Sequence, residues 1–311
     1  MEYRELGKSQ IRVSKLCFGT LTISPLQKDF DINKGASILK SAFDLGVTFF
    51  DTAELYGTYP HIREAFAGNT DVVISTKSYA YDKKTAQKSL DKARKDMDRD
   101  VIDIFMLHEQ ESELTLRGHS EATEYFLKMK QQGVIRAFGV STHHIACVDA
   151  ATEHDEIEVI HPIFNKRGLG IADGGIEQMS NAIRRAHSAG KGIFAMKPLG
   201  GGHMCKTPAQ AFDFVLDSEF VDSVAVGMQS EAEVADNCAY FGGNRDVDFA
   251  ANDIERNVIV HDWCTACAKC VQLCGSEALK LINGKIEIDQ SKCVFCGYCA
   301  AVCKDFAIKV I

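Results

Sequence analysis

One cysteine spacing occurs twice near the C-terminus, and nothing else in the chain restricts its folding as tightly. Cys264, Cys267, Cys270 and Cys274 form C-x2-C-x2-C-x3-C, and Cys293, Cys296, Cys299 and Cys303 form it again. Three thiolates two residues apart can wrap one face of an iron–sulfur cubane, while the fourth reaches away from it. Eight of the twelve cysteines lie within the last 48 residues; Cys17, Cys147, Cys205 and Cys238 lie elsewhere. A secreted disulfide scaffold would be small and would carry a signal peptide. Met1–Gln10 is charged and has no apolar stretch of that kind. Four thiolates also suit zinc, but two repeated cores with the same three-residue last step favour clusters.

This segment resembles the bacterial-type ferredoxin with two 4Fe–4S clusters. In that family the fourth cysteine of each motif ligates the other cluster. The resemblance therefore implies one cluster on Cys264, Cys267, Cys270 and Cys303, and another on Cys293, Cys296, Cys299 and Cys274. Between the motifs, residues 278–288 predict a hairpin with Asn283-Gly284 at its turn. One departure from the family pattern is Gly275 and Lys304 where proline usually follows the fourth cysteine.

Upstream, short apolar runs alternate with amphipathic stretches. The runs are Leu16–Gly19, Val47–Phe50, Val72–Ser75, Ile102–Leu107, Ile135–Val140, Ile157–Ile160, Gly192–Met196 and Ser223–Val226. Each reads as a strand buried on both faces. Ser120–Gln132, with Ser120 as N-cap and Gly133 as stop, and Gly175–Ala189 read as helices between them. Eight strand–helix pairs predict an α/β fold, a closed (β/α)8 TIM barrel. An open doubly wound sheet would want a glycine-rich turn after its first strand, where Thr20–Ile23 stand instead. Tyr3–Leu6 and Ile11–Val13, flanking Gly7-Lys8-Ser9, predict a hairpin across the barrel bottom. The expected division is a barrel over 1–245, a linker over 246–255 and a small C-terminal α+β ferredoxin domain over 256–311.

Chemistry in such barrels sits at the C-terminal ends of the strands. Those ends place Asp51, Lys77 and His108 at one mouth, with Tyr56 five residues beyond Asp51. In Phe50–Gly57, Ser75-Thr76-Lys77 and Leu107-His108, residues 1–240 resemble the aldo-keto reductases. The resemblance implies a catalytic tetrad. Tyr56 acts as general acid, Lys77 lowers its pKa, Asp51 pairs with Lys77, and His108 orients a carbonyl. A tyrosine near pKa 10 needs such a neighbouring cation to work near neutrality.

The resemblance also implies nicotinamide contacts. Ser141 matches the carboxamide-binding strand end, with Thr142 and His161 standing where Asn and Gln are usual. Phe164 would stack on the nicotinamide ring. Lys197, Leu199 and Gly201 belong to a Lys-Pro-Leu-Gly-Gly-Gly loop whose bare backbone could approach a pyrophosphate. Gly227, Gln229, Glu233 and Asn237 match adenosine contacts. No Lys or Arg lies between Gly227 and Asn237, while Glu231 and Glu233 would repel a 2′-phosphate. NAD(P)H is thus compatible with the sequence, without a preference for NADPH. Tyr79 and Tyr81 are candidates for a substrate wall. His143, His144, His203 and Cys205 read as loop residues near the mouth, and Cys17 and Cys238 as core.

A net charge of −8 with no basic stripe argues against nucleic acid. Apolar runs of five to six residues are far too short to span a membrane. The expected protein is a cytoplasmic oxidoreductase with two 4Fe–4S clusters, acting on a small carbonyl or related substrate and served by a redox partner protein. Two alternatives remain open: a cluster-driven reductase that does not use nicotinamide, and a non-enzymatic electron carrier or redox sensor.

Overall fold

The computed structural model describes residues 1–202, 204–205, 207–249, 257–303 and 307–310. His203, Lys304 and most of the expected linker lie outside the described residues. Two short strands, β1 (Tyr3–Glu5) and β2 (Arg12–Ser14), pair antiparallel around a 3-10 turn at Gly7–Ser9. Eight parallel strands follow: β3 (Leu16–Gly19), β4 (Phe49–Asp51), β5 (Val73–Ser78), β6 (Ile102–Leu107), β7 (Ile135–Thr142), β8 (Val159–Pro162), β9 (Gly192–Met196) and β10 (Ser223–Gly227). They pair in chain order, and β10 returns to β3 through Val224↔Leu16 and Gly227↔Gly19, closing the barrel. All eight expected strands are present, several ending one to three residues further towards the mouth.

The helices form the outer layer: α1 (Ile32–Asp44), α2 (Tyr59–Phe66), α3 (Lys83–Met97), α4 (Glu113–Gly118), α5 (Ser120–Gln131), α6 (Ile145–Glu153), α7 (Ile176–Ser188), α8 (Pro208–Leu216) and α9 (Glu231–Phe241). Their starts follow local chemistry. Asp82 caps α3 by accepting from Thr85 N at 2.7 Å, and Ser230 caps α9 by accepting from Glu233 N at 3.1 Å. Ser120 is not a cap; His119 holds that position, because the short α4 ends directly against α5.

Packing is in two shells. Leu16, Phe18, Phe50, Phe105, Phe126 and Phe138 join the helix faces. Inside the barrel, Cys17, Phe49, Ile104, Val159 and Phe194 meet Leu6, Ile11 and Val13 of the N-terminal hairpin. The hairpin therefore plugs the barrel bottom, as its pattern predicted. The start of the expected linker is not loose: Phe249 packs on Tyr240 at 5.3 Å and on Phe212 at 5.8 Å, because its ring offers apolar area that the barrel can bury.

The C-terminal module pairs β11 (Val258–Val260) with β14 (Ile308–Val310) and β12 (Leu279–Ile282) with β13 (Lys285–Ile288), with α10 (Lys269–Leu273) and α11 (Tyr298–Val302) between them. Asn283 and Gly284 both have positive φ, 48° and 75°, the backbone that a tight hairpin turn requires. No described helix is long and apolar enough to cross a membrane.

Leu6 is fully buried in the plug. Leu6→Ala is expected to cost about 2–5 kcal/mol through lost burial and an unfilled cavity. Leu55→Ala, at a 54% exposed position, should stay within about 0.5 kcal/mol. Urea unfolding of the two variants under anaerobic conditions measures both.

Candidate active site and cluster cavities

Asp51, the last residue of β4, and Lys77, on β5, are both buried at the mouth of the barrel. Lys77 Nζ donates to Asp51 Oδ1 at 2.8 Å, to Asp51 Oδ2 at 2.7 Å and to the Thr52 carbonyl at 2.8 Å. An ammonium has three donors, and these contacts use all of them. Burial pushes the Asp51 carboxyl up, opposed by the charge and hydrogen bonds of Lys77.

Tyr56 ends a 3-10 turn after β4, where Gly57 at φ 69° reverses the chain. Lys77 Nζ stands 5.1 Å from the Tyr56 ring centroid. The Tyr56 ring meets His108 edge-on at 5.8 Å, and Tyr79 stacks on His108 at 4.6 Å. Tyr79 OH donates to Glu109 Oε2 at 2.5 Å. The four residues of the expected tetrad thus share one site, and Tyr79 lines it. At Tyr56 the net shift is upward, opposite to the lowering expected from Lys77. Burial, followed by the negative charges of Asp51 and Glu109 and by Tyr79, holds the Tyr56 phenol well above its usual pKa. Lys77 directs no N–H to it.

Three imidazoles gather here. Burial, then Lys77, His143 and Lys197, keeps His108 neutral, and its Nδ1 has no hydrogen-bond partner among the described residues. His161 lies inside the barrel: Nδ1 donates to the Phe194 carbonyl at 2.5 Å, the ring stacks on Phe194 at 3.8 Å, and Nε2 stands 3.8 Å from Asp51 Oδ2. Burial, then Lys77, lowers its pKa. His143 is pushed down to about 3 by burial, then by Lys197 and His144, and accepts from Lys197 Nζ at 3.2 Å. Burial also lowers the pKa of Lys197.

Most residues expected to hold nicotinamide are engaged with the barrel itself. Ser141 Oγ accepts from Glu109 N at 2.9 Å and Thr142 Oγ1 donates to the Gln110 carbonyl at 2.6 Å, both fully buried. Phe164 is the clearest correction. It is fully buried against Phe214 at 5.0 Å and Phe220 at 5.9 Å, in the helix layer and away from the mouth. His161 is committed to Phe194 and Asp51. Leu199 packs on the core, and Asn237 is buried. A Cβ on Gly227 would stand 2.2 Å from Thr22 Cγ2. Glu233 Oε2 accepts from Gln229 N at 2.7 Å, so Gln229, Ser230 and Glu233 build the cap of α9.

The cysteines fit clusters closely. One cavity is lined by Cys264, Cys267, Cys270 and Cys303; a second is lined by Cys274, Cys293, Cys296 and Cys299. These are the crosswise sets that the ferredoxin resemblance implies. The two motif loops repeat one backbone: Ala266 and Ala268 have φ 54° and 58°, Phe295 and Gly297 φ 51° and 78°. Backbone N–H groups already point at sulfur, Phe295 N to Cys293 Sγ at 3.4 Å and Ala307 N to Cys303 Sγ at 3.2 Å. Such bonds tune the potential of a bound cluster.

Of the remaining candidates, Tyr81 is 59% exposed, His144 opens α6, Cys205 is half-buried, and Cys17 and Cys238 are core. Sequence reasoning did not identify Tyr298 as a site neighbour, nor His161 as a neighbour of Asp51.

Residues 15–207 match the Aldo/keto reductase family, and residues 256–304 match the 4Fe-4S dicluster domain. The chain is 30% identical over 164 residues to the uncharacterized oxidoreductase YqkF of Bacillus subtilis, covering 46% of this chain and 49% of that protein. It is 22% identical over 282 residues to L-galactose dehydrogenase of Arabidopsis thaliana, covering 77% and 88%. It is 30% identical over 168 residues to L-glyceraldehyde 3-phosphate reductase of Escherichia coli, covering 46% of each. The match thus spans about half the length of the two bacterial proteins. Among solved structures, an aldo-keto reductase from Bacillus halodurans in its holo form superposes with a TM-score of 0.64 at 21% identity, covering 76% of this chain and 90% of that one. A structure described as an aldo-keto reductase from Pseudomonas aeruginosa gives 0.66 at 24% identity, covering 76% and 92%. At these identities the structures establish the fold.

Anaerobically prepared protein is expected to carry about eight irons, four per cubane. Cys303→Ala, although it lies in the second motif, should empty the cavity of the first and bring iron towards about four. Iron and acid-labile sulfide assays with EPR check this; stoichiometric zinc with negligible iron would contradict it.

Proposed function

The chain belongs to the aldo/keto reductase family, and on that premise we propose that it reduces a small carbonyl or related unsaturated substrate at the barrel mouth, with Tyr56 as proton donor. The observation that carries this reading is the position of Tyr56, set between Lys77 and His108 above a buried ion pair. Burial keeps the phenol protonated at neutral pH but makes it a weak acid, so giving its proton to a substrate oxygen depends on stabilising the phenolate that forms. As the proton leaves, charge develops on the phenolate beside the Lys77 ammonium. A cation fixed beside the developing charge stabilises it without reorganising. His108, kept neutral, can hydrogen-bond to the same oxygen and orient it.

The clusters, when bound by their eight cysteines, would supply the two electrons of the reduction one at a time, refilled by a redox partner, with the second proton drawn from solvent. Cys267 is exposed and Trp263 is 58% exposed beside the first cavity, which supports a redox partner docking on that side. Clusters and free thiolates suit a reducing compartment, which supports a cytoplasmic protein.

Tyr56→Phe is expected to lower turnover by about 10²–10⁴-fold with KM and fold retained, since only the acid is removed. Undiminished turnover in that variant would remove Tyr56 from the reaction. Because the folded protein raises the phenol pKa, its acid form persists into alkaline solution. The pH–rate profile should therefore show no loss from Tyr56 ionisation below about pH 10, as steady-state rates across pH would record.

A further inference from the structure

The glycine loop after β9 has bare backbone, and something already lies against it. A Cβ on Gly201 would stand 2.9 Å from both Cζ and OH of Tyr298. A Cβ on Gly202 would stand 2.8 Å from Cys296 Cα and 3.1 Å from the Phe295 carbonyl. Cβ atoms essentially never approach other heavy atoms this closely, so only glycine admits the Cys296–Tyr298 turn. Other loops of the mouth meet the same turn. Gly170, after β8, would bring a Cβ to 3.3 Å from Tyr298 OH, and Gln27, after β3, lies 3.5 Å from the Cβ position of Gly297. Lys197 Nζ stands 5.5 Å from the Tyr298 ring centroid, a cation–aromatic contact, while it also donates to His143.

We infer that this loop is the seat of the iron–sulfur module and not of a dinucleotide pyrophosphate, so that Tyr298 walls the barrel mouth and no nicotinamide dinucleotide binds to the docked protein. The residues expected to grip a dinucleotide agree with this. Phe164 faces the helices, Ser141 and Thr142 are engaged with backbone, and Glu233 serves a helix cap. The same property, backbone without a side chain, suits both occupants. The three loops around Cys296–Tyr298 show which one this chain holds. Lys197 consequently belongs to a composite site, shared between a barrel histidine and an aromatic ring of the module.

The inference is independent of the role of Tyr56, since Tyr56→Phe leaves the seat untouched. The test uses the full chain with its clusters, under anaerobic conditions. In hydrogen exchange, the peptide carrying Gly200–Gly202 is expected to be protected. Tyr298→Ala should speed its exchange about tenfold or more, with peptides of β5 and β6 unchanged and iron content retained. Gly201→Ala approaches the same contact from the barrel side and should produce the same loss, which keeps the test valid if Tyr298→Ala does not fold. In calorimetry, NADH and NADPH should each bind the wild-type protein with Kd weaker than about 1 mM. Exchange unaltered in both variants, or a Kd tighter than that limit for either dinucleotide, would overturn the inference.

Discussion

The site depends on the buried contact between Asp51 and Lys77. Removing two charges from water costs several kcal/mol per ion, and the cost is offset only where geometry and further hydrogen bonds are good. Here both carboxylate oxygens and the Thr52 carbonyl receive the ammonium. β4 and β5 are neighbours in register, Asp51 opposite Ser75, so the pair joins two adjacent strand ends. Once Lys77 is fixed, the positions of its neighbours gain meaning. Tyr56 lies beside its charge, His161 approaches the carboxylate from β8, and the positive charge helps keep His108 and His161 neutral.

Electrostatics at the mouth therefore separate by residue type. Two lysines carry the positive charge, and three imidazoles within their field remain uncharged. Burial is the largest cause at each histidine, and the lysines act in the same direction. Neutral imidazoles can donate and accept hydrogen bonds without adding cations beside the two lysines. Tyr56 experiences the opposite field, from Asp51 and Glu109, which favours its protonated form. One cluster of side chains thus holds its bases deprotonated and its acid protonated.

The C-terminal module obeys a different constraint. Crosswise cysteine sets mean that neither motif completes a cavity alone, so the two halves are held together by whatever the cavities bind. The matching left-handed residues of the two loops show the repeat in backbone as well as in sequence. The second cavity faces the barrel through Cys296 and Tyr298, and the first lies beside exposed Trp263. The module therefore has an inner and an outer end relative to the mouth.

Much of this was legible in the chain itself. Cysteine spacing is local, so it marked the eight ligands, while their crosswise division into two sets came from the resemblance to two-cluster ferredoxins. Apolar runs alternating with helical periods specified the barrel, and residues ending those runs gave Asp51, Lys77 and His108, because a strand end fixes which rim a side chain occupies. What local pattern cannot encode is direction at the rim and contact between distant segments. Phe164 lies just past the end of β8, and whether it faces the mouth or the helices depends on how the chain leaves the strand; the packing of Phe214 and Phe220 decided it. His161 meets Asp51 only because the closed barrel brings strands 110 residues apart across its interior. Gly201 and Gly202 marked a close approach of something to bare backbone, and a sequence cannot say of what. Only the tertiary structure, by setting the Cys296–Tyr298 turn on that loop, showed which part of the chain lies against it.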